Sequence, residues 1–230
     1  MPTAESVVDE IARRAASRGI DLTAATTVGR YNVTVDGPHR LPGDDVDLVV
    51  VLGNTRALWS HLTAYVMAAG ARVDDPVDDY VEEVVGEVVA AVVPAGALVD
   101  IRYAHEPPPR RIAIQRLAHV AGLAWLSPSH LCIHTEHGPW IALRAAVVVA
   151  LPGPQHNDEP TPPCDCSAHC LPELARALEA GEPRNEEQLR TRWRLWLAVR
   201  DACPVGRAHR YDDEQIEYHY AGIRPPTWPT

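Results

Sequence analysis

Residues 141–151 read IALRAAVVVAL, and residues 47–52 read DLVVVL. Both are short, continuous runs rich in β-branched residues, the pattern of strands buried on both faces. Working outward, 98–103 (LVDIRY) and 131–134 (LCIH) are also expected as strands. Helical patterns lie between them. In 3–18, Val7, Val8, Ile11 and Ala15 share one face and Gly19 can end the helix. A second helix is expected over 56–69, capped by Asn54 or Thr55 and closed by Gly70. From Pro76 onward, Val77, Tyr80, Val81, Val84, Val85, Val88 and Val92 repeat at helical spacing. Valine is a weak helix former, so a strand is the alternative there; the periodicity and the acidic start favour helix. Residues 112–123 read as a further helix.

The proline-rich stretch 152–163 leaves this pattern as a loop. Two polar helices are expected over 171–180 and 186–201, before a tyrosine-rich tail, YDDEQIEYHY, and a PPTWP end. Strands alternating with helices, then a helical appendage, indicate an α/β or α+β fold. The expected division is a core over 1–152 and a Cys-rich loop and helical cap over 153–230 that completes the same unit.

The chain of 230 residues is 46% hydrophobic and 23% charged, the balance of a globular protein able to bury a sizeable core without staples. Its net charge is −10 and every Lys/Arg position is arginine. That argues against nucleic-acid and anionic-membrane partners, which a basic face would attract. Local arginine clusters remain at Arg110–Arg111 and over 190–200. The opening MPTAESVVDEIARR has no secretory pattern, so a cytoplasmic location with reduced cysteines is expected. Neither a GxGxxG nor a P-loop motif is present.

Two constellations carry candidate chemistry. The first is Cys132-Ile133-His134, followed by Gly138-Pro139-Trp140. Strand alternation sends Cys132 and His134 to one face, and Gly138 permits a close approach. His134 is either a metal-facing imidazole or a hydrogen-bonded, half-buried histidine. The second is PPCDCSAHC with a later ACPVG, which holds Cys164, Cys166, Cys170 and Cys203. Thiolates spaced C-x-C-x3-C with a fourth from a helix end suit a tetrahedral metal site, with His169 as a spare ligand. Free thiols and a dithiol redox pair are the other readings. The acidic runs Asp44, Asp45, Asp47 and 74–79 are read as a strand flank and a helix N-terminus. Trp193, Trp196, Tyr211, Tyr218 and Tyr220 are read either as cover for a planar ligand or as helical core. Arg194 and Arg200 lie near them as receivers of a carboxylate or phosphate, or as surface ion pairs.

Taken in order, RYN (30–32), DPVDDYV, RRIAIQRLAHVAG, CIHTEHGPWIALRAAVVVALPG and WRLWLAVRDA resemble the cblC-type cobalamin trafficking chaperones. The likeness spans about 28–225 and is most specific between Arg110 and Gly153. More distantly, the central region is similar to epoxyqueuosine reductases and reductive dehalogenases. The resemblance implies a nitroreductase/flavin-reductase-like sandwich that binds base-off cobalamin. It also implies removal of the upper axial ligand, by reductive decyanation or by dealkylation with a thiol co-substrate, or with reduced flavin as electron donor. It places His134, Gln115, His119, Cys132, Gly138, Trp140 and Tyr31 at the cofactor. It places Arg144 and Arg200 at the reaction, Arg200 as the anchor for the thiol's carboxylate. Thr135 stands where the family has proline, and Pro139 where it has glycine. Downstream cobalamin-dependent enzymes are implied partners, and both monomer and homodimer are compatible. Two alternatives stay open: a storage or delivery protein with structural zinc at the cysteines, and a cobalamin-dependent reductase fed by an iron–sulfur cluster.

Overall fold

A computed structural model describes residues 3–94, 96–156, 158–181 and 185–229, less the side chains at 186, 189 and 190, so the Arg190 end of the arginine cluster lies outside the described residues. In chain order the elements are α1 (Ala4–Ala16), β1 (Leu22–Thr27), α2 (Val28–Asn32), β2 (Asp47–Asn54), α3 (Leu58–Ala69) and α4 (Pro76–Val92). Then come β3 (Val99–Tyr103), α5 (Ile114–Val120), β4 (Trp125–Leu126), β5 (Cys132–Ile133) and β6 (Ala142–Pro152). The last are α6 (Cys170–Glu179), α7 (Glu186–Asp201) and α8 (Asp213–Ala221).

The two valine-rich runs are neighbours at the centre of a four-stranded sheet of order β1-β2-β6-β3. Every pairing in it is antiparallel, with Val49 opposite Val148 and Val50 opposite Val147. The two alternatives for the fold class thus resolve to α+β, since a parallel sheet would need a crossover between each paired strand. Alternation along the central strands builds two cores. Leu48, Val50, Leu52, Ala145, Val147 and Val149 face α1, α3 and α4. Val49, Val51, Ala146 and Val148 face α2 and α5. Both faces are covered, which is why these strands read as solid apolar runs. Each such valine contributes about 1.5–3 kcal/mol by leaving water.

The valine-rich helix after Pro76 is a helix, with Tyr80, Val81, Val84, Val85, Val88 and Val89 buried. Thr3 caps α1 by accepting from the Ser6 N–H. Gly70 ends α3 at φ +64°, but neither Asn54 nor Thr55 caps it; the N-cap is Ala57, which makes no side-chain cap, and the helix starts at Leu58. α5 is shorter than the 112–123 expected, seven residues long. β1, α2, β4 and α8 are additional. β1 (LTAATT) has no apolar run, and its pairing with β2 supplies the order its side chains do not. Residues past 152 pack into two further clusters. Ile133 joins Cys166, Cys170, Leu174, Val199 and Cys203. Trp140 joins Trp193, Leu197, Tyr211 and Ile216. Of the aromatic set, Trp193, Tyr211 and Tyr220 pack in this last cluster, Trp196 against the cysteine cluster and Tyr218 against the main core.

Candidate functional site

Tyr31 is buried in the core. Its hydroxyl donates to the His39 carbonyl at 3.0 Å and accepts from the Ala113 N–H at 2.9 Å. Burial, partly offset by that N–H, raises its pKa. Its neighbour Asn32 exchanges two hydrogen bonds with the Leu41 backbone. This pair pins the approach to α5 from below rather than lining a cavity. From α5, Gln115 stands exposed and donates to the His130 carbonyl at 2.9 Å. His130 itself holds φ +61°. His119, one turn further on, accepts from the Leu126 N–H at 3.3 Å and lines a separate cleft with Arg30 and Arg116.

β5 alternates as its sequence demands. Cys132 packs into the core beneath the sheet and Ile133 into the cysteine cluster behind. Burial pushes the Cys132 thiol up to about 12, so it is a protonated donor at neutral pH, 3.7 Å from the Gln115 carbonyl. Gln115, Cys132, Pro139, Ile141, Leu143 and Arg200 line a cleft of about 210 Å³.

His134 sits beside this cleft at the start of a tight turn, where its backbone exchanges two hydrogen bonds with Gly138. Its Nδ1 accepts the N–H groups of Glu136 at 3.1 Å and His137 at 3.2 Å. With Nδ1 so occupied, the neutral ring carries its proton on Nε2. Burial first, then the neighbouring His137, hold the His134 pKa below its ordinary value. His137 stacks on His134 at 4.8 Å and meets His209 edge-on at 4.4 Å. Gly138 (φ +57°) and Gly206 (φ +73°) face one another across two segments. A Cβ on Gly138 would collide with the Val205 carbonyl, and one on Gly206 with the His137 carbonyl. The turn after His134 is thereby docked onto the segment that follows Cys203.

Trp140 is buried and so offers no open face; its ring lies under the guanidinium of Arg200 at 5.5 Å and that of Arg210 at 5.6 Å. Arg200 also covers Tyr211 at 5.8 Å and donates to the Ile141 carbonyl at 2.9 Å. Arg144 donates to Asn54 Oδ1 at 2.6 Å. It is partly exposed yet surrounded by protein, and this burial lowers its pKa. Arg144, Arg200 and Tyr211 are close enough to perturb one another. Among the described residues neither Arg144 nor Arg200 has a carboxylate within ion-pair distance, and the buried Tyr211 hydroxyl has no hydrogen-bond partner. Arg210, by contrast, is paired with Asp201 and Asp213.

Of the residues expected at a site, Gln115, Cys132 and Arg200 share the cleft. His134 and Gly138 form the adjoining turn, and Arg144 lies outside the cleft within electrostatic reach of Arg200. Tyr31, His119 and Trp140 stand apart from the cleft as supports. Sequence reasoning missed Asn54, His137, His209 and Arg210. His137 lay inside the quoted turn, while His209 and Arg210 belong to a stretch with no periodicity to mark them. The four appendage cysteines are all free thiols gathered in one apolar cluster. Cys203 is held below its ordinary pKa, chiefly by the hydrogen bond with the Cys170 thiol, which is raised in turn.

No family model matches the chain. Among curated proteins, the cyanocobalamin reductase / alkylcobalamin dealkylase of Danio rerio is 28% identical over 222 residues, covering 86% of this chain and 81% of that protein. Among solved structures, the B12-trafficking protein CblC of C. elegans, a human MMACHC homologue, superposes with a TM-score of 0.70 at 20% identity. It covers 96% of this chain and 92% of its own. An epoxyqueuosine reductase from Bacillus subtilis is more distant, with a TM-score of 0.55 at 12% identity, covering 96% and 76%. The resemblance to the cblC-type chaperones holds in sequence and in fold.

Proposed function

We propose that this protein processes cobalamin, binding it base-off and removing its upper axial ligand to a thiol co-substrate. The observation that carries the reading is the pair of half-buried guanidiniums, Arg144 and Arg200, which among the described residues have no carboxylate within ion-pair distance, beside the orphaned Tyr211 hydroxyl. Half-buried cations without such a partner suit an anion, and planar guanidiniums suit a carboxylate. A thiol that carries a carboxylate, such as glutathione, meets that demand and brings its sulfur towards the adjoining cleft. The relative from Danio rerio, named for this chemistry, supports the assignment.

The cleft of about 210 Å³ is below the 300–1,000 Å³ that encloses a drug-sized ligand. A corrin therefore lies across its mouth, with the upper ligand directed inward past Gln115 and Cys132. His134, whose Nδ1 is spent on the backbone, offers Nε2–H as a donor. It borders the corrin without ligating cobalt, in keeping with base-off binding. Cobalamin supplies the cobalt–carbon or cobalt–cyanide bond to be broken; the protein positions the thiol and excludes water. Reductive decyanation with a reduced flavin is the companion reaction. In this reading residues 1–152 form a nitroreductase-like core and 153–230 the cap over its thiol end. The cytoplasm and delivery to downstream cobalamin-dependent enzymes fit the same reading. Among the described residues no helix is long and apolar enough to cross a membrane.

The test is methylcobalamin with glutathione under anaerobic conditions, read by mass spectrometry. S-methylglutathione formed in step with loss of methylcobalamin is the expected result. Tight cobalamin binding with no thioether and no decyanation would identify a storage or delivery protein instead.

A further inference from the structure

Cys164 and Cys166 lie in the turn before α6, Cys170 is its first residue, and Cys203 follows α7. Cys170 and Cys203 are fully buried and Cys166 almost so, packed among Ile133, Leu174 and Val199. Cys164 Sγ lies 3.9 Å from Cys166 Sγ and 3.9 Å from Cys203 Sγ. Cys170 and the Val205 N–H lie close enough to Cys203 to hold its thiol below its ordinary pKa.

Two of the six sulfur–sulfur separations, those from Cys164, bear on the possible uses of four sulfurs. A disulfide would bring a pair to about 2.05 Å. Thiolates sharing one ion at about 2.3 Å in a tetrahedron stand about 3.8 Å apart. A cubane iron–sulfur cluster places each thiolate on its own iron and so spreads them further. Four thiols crowded in an apolar cluster are also poor hydrogen-bond partners for one another, whereas a shared ion satisfies all of them at once. We propose that Cys164, Cys166, Cys170 and Cys203 form a mononuclear tetrathiolate site for a zinc-class divalent cation. Binding displaces the remaining thiol protons to solvent and leaves a centre of charge −2, which the Val205 N–H helps to stabilise.

The site has a structural consequence for the chemistry nearby. Segments 158–169 and 203–206, with neither strand nor α-helix of their own, would be tied together by the ion. Gly206 in turn abuts the His137–Gly138 peptide, so the ion would fix the turn that begins at His134. Among the described residues, a different set, Glu136, His137 and His209, is the one with ligand atoms all within 4.8 Å of one another, with Glu136 exposed; the four sulfurs are more open than that and would close in on an ion, so the test must separate the two.

Full-length protein is purified without chelator and its metal content measured. One zinc per chain is expected, reduced at least tenfold in Cys164→Ser and in Cys203→Ser, and unchanged in a His137→Ala/His209→Ala double variant. Cobalt(II) added to stripped wild-type protein should produce sulfur-to-cobalt charge transfer and intense tetrahedral bands, saturating at one equivalent and bleached by zinc. Should the serine variants fail to fold, thiol titration of the zinc-loaded wild type decides. Four thiols should be shielded until a chelator is added. Zinc retained by the cysteine variants, weak octahedral cobalt bands, acid-labile sulfide in a brown protein, or thiols equally reactive with and without chelator would each overturn the proposal.

Discussion

Tyr31 shows what one hydroxyl can do away from the chemistry. Its two hydrogen bonds tie the His39 loop to the residue that precedes α5. Tyr31→Phe leaves a buried carbonyl and N–H unpaired, which costs about 1–3 kcal/mol. Thermal or urea unfolding should show that loss, while cobalamin affinity stays within about twofold of wild type. Arg144 makes the complementary case. Replacing it with Gln keeps a donor for Asn54 but removes charge, and a hydrogen bond to a charged group contributes about 1.5–3 kcal/mol. The KM for the thiol should rise about 10- to 100-fold with cobalamin binding retained, as steady-state dealkylation would show. His134 adds a pH dependence. Its folded pKa lies below that of the unfolded chain, so the folded state binds fewer protons. Stability is then complete above the unfolded value of about 6.5 and falls as pH drops towards the folded one. Protonation places a hydrogen on Nδ1 and breaks both turn contacts. Near-UV circular dichroism and cobalamin affinity should decline together as the pH falls below the ordinary histidine value of about 6.5 and recover on neutralisation; a His134→Asn variant should lose the part owed to this ring.

At the scale of elements, the interlocked glycines make the strongest demand. Gly138→Ala forces a side chain into left-handed backbone, at about 1–2 kcal/mol, and drives it into the Val205 carbonyl. A destabilisation of more than about 2 kcal/mol is expected, with Gly206→Ala behaving alike because it collides with the other partner of the same contact. Equal melting temperatures for wild type and both variants would show that the segments are not docked. Nothing in the quoted turn signals this contact, because its partner lies almost 70 residues downstream. The legible elements are those whose own residues specify them. The valine runs of β2 and β6, the staggered valines of α4 and the stop at Gly70 can each be read locally. β1 and α8 could not be read so. β1 is threonine and alanine held by its neighbour, and α8 hides its helical face among tyrosines and acids. The site divides in the same way. Cys132, His134 and Gln115 were visible in an ordered motif, but the group of Arg144, Arg200 and Tyr211 exists only once β6, α7 and the segment before α8 meet.

For the whole molecule, an antiparallel sheet with both faces covered provides a rigid floor. The cap supplies Arg200, Tyr211 and the cysteine cluster at one end of it. In the proposed reading, cobalamin-facing groups come from residues 1–152 and thiol-facing groups largely from 153–230, so the reaction takes place where the two meet. In that reading the same place holds a corrin with its lower axial nitrogen detached. Titrating methylcobalamin with the purified protein, without any thiol and in the dark, tests it most directly by visible absorption. The account predicts a shift from the red base-on spectrum to the yellow base-off one, saturating at one cobalamin per chain. A spectrum that stays base-on at excess protein, or no binding at all, would contradict it.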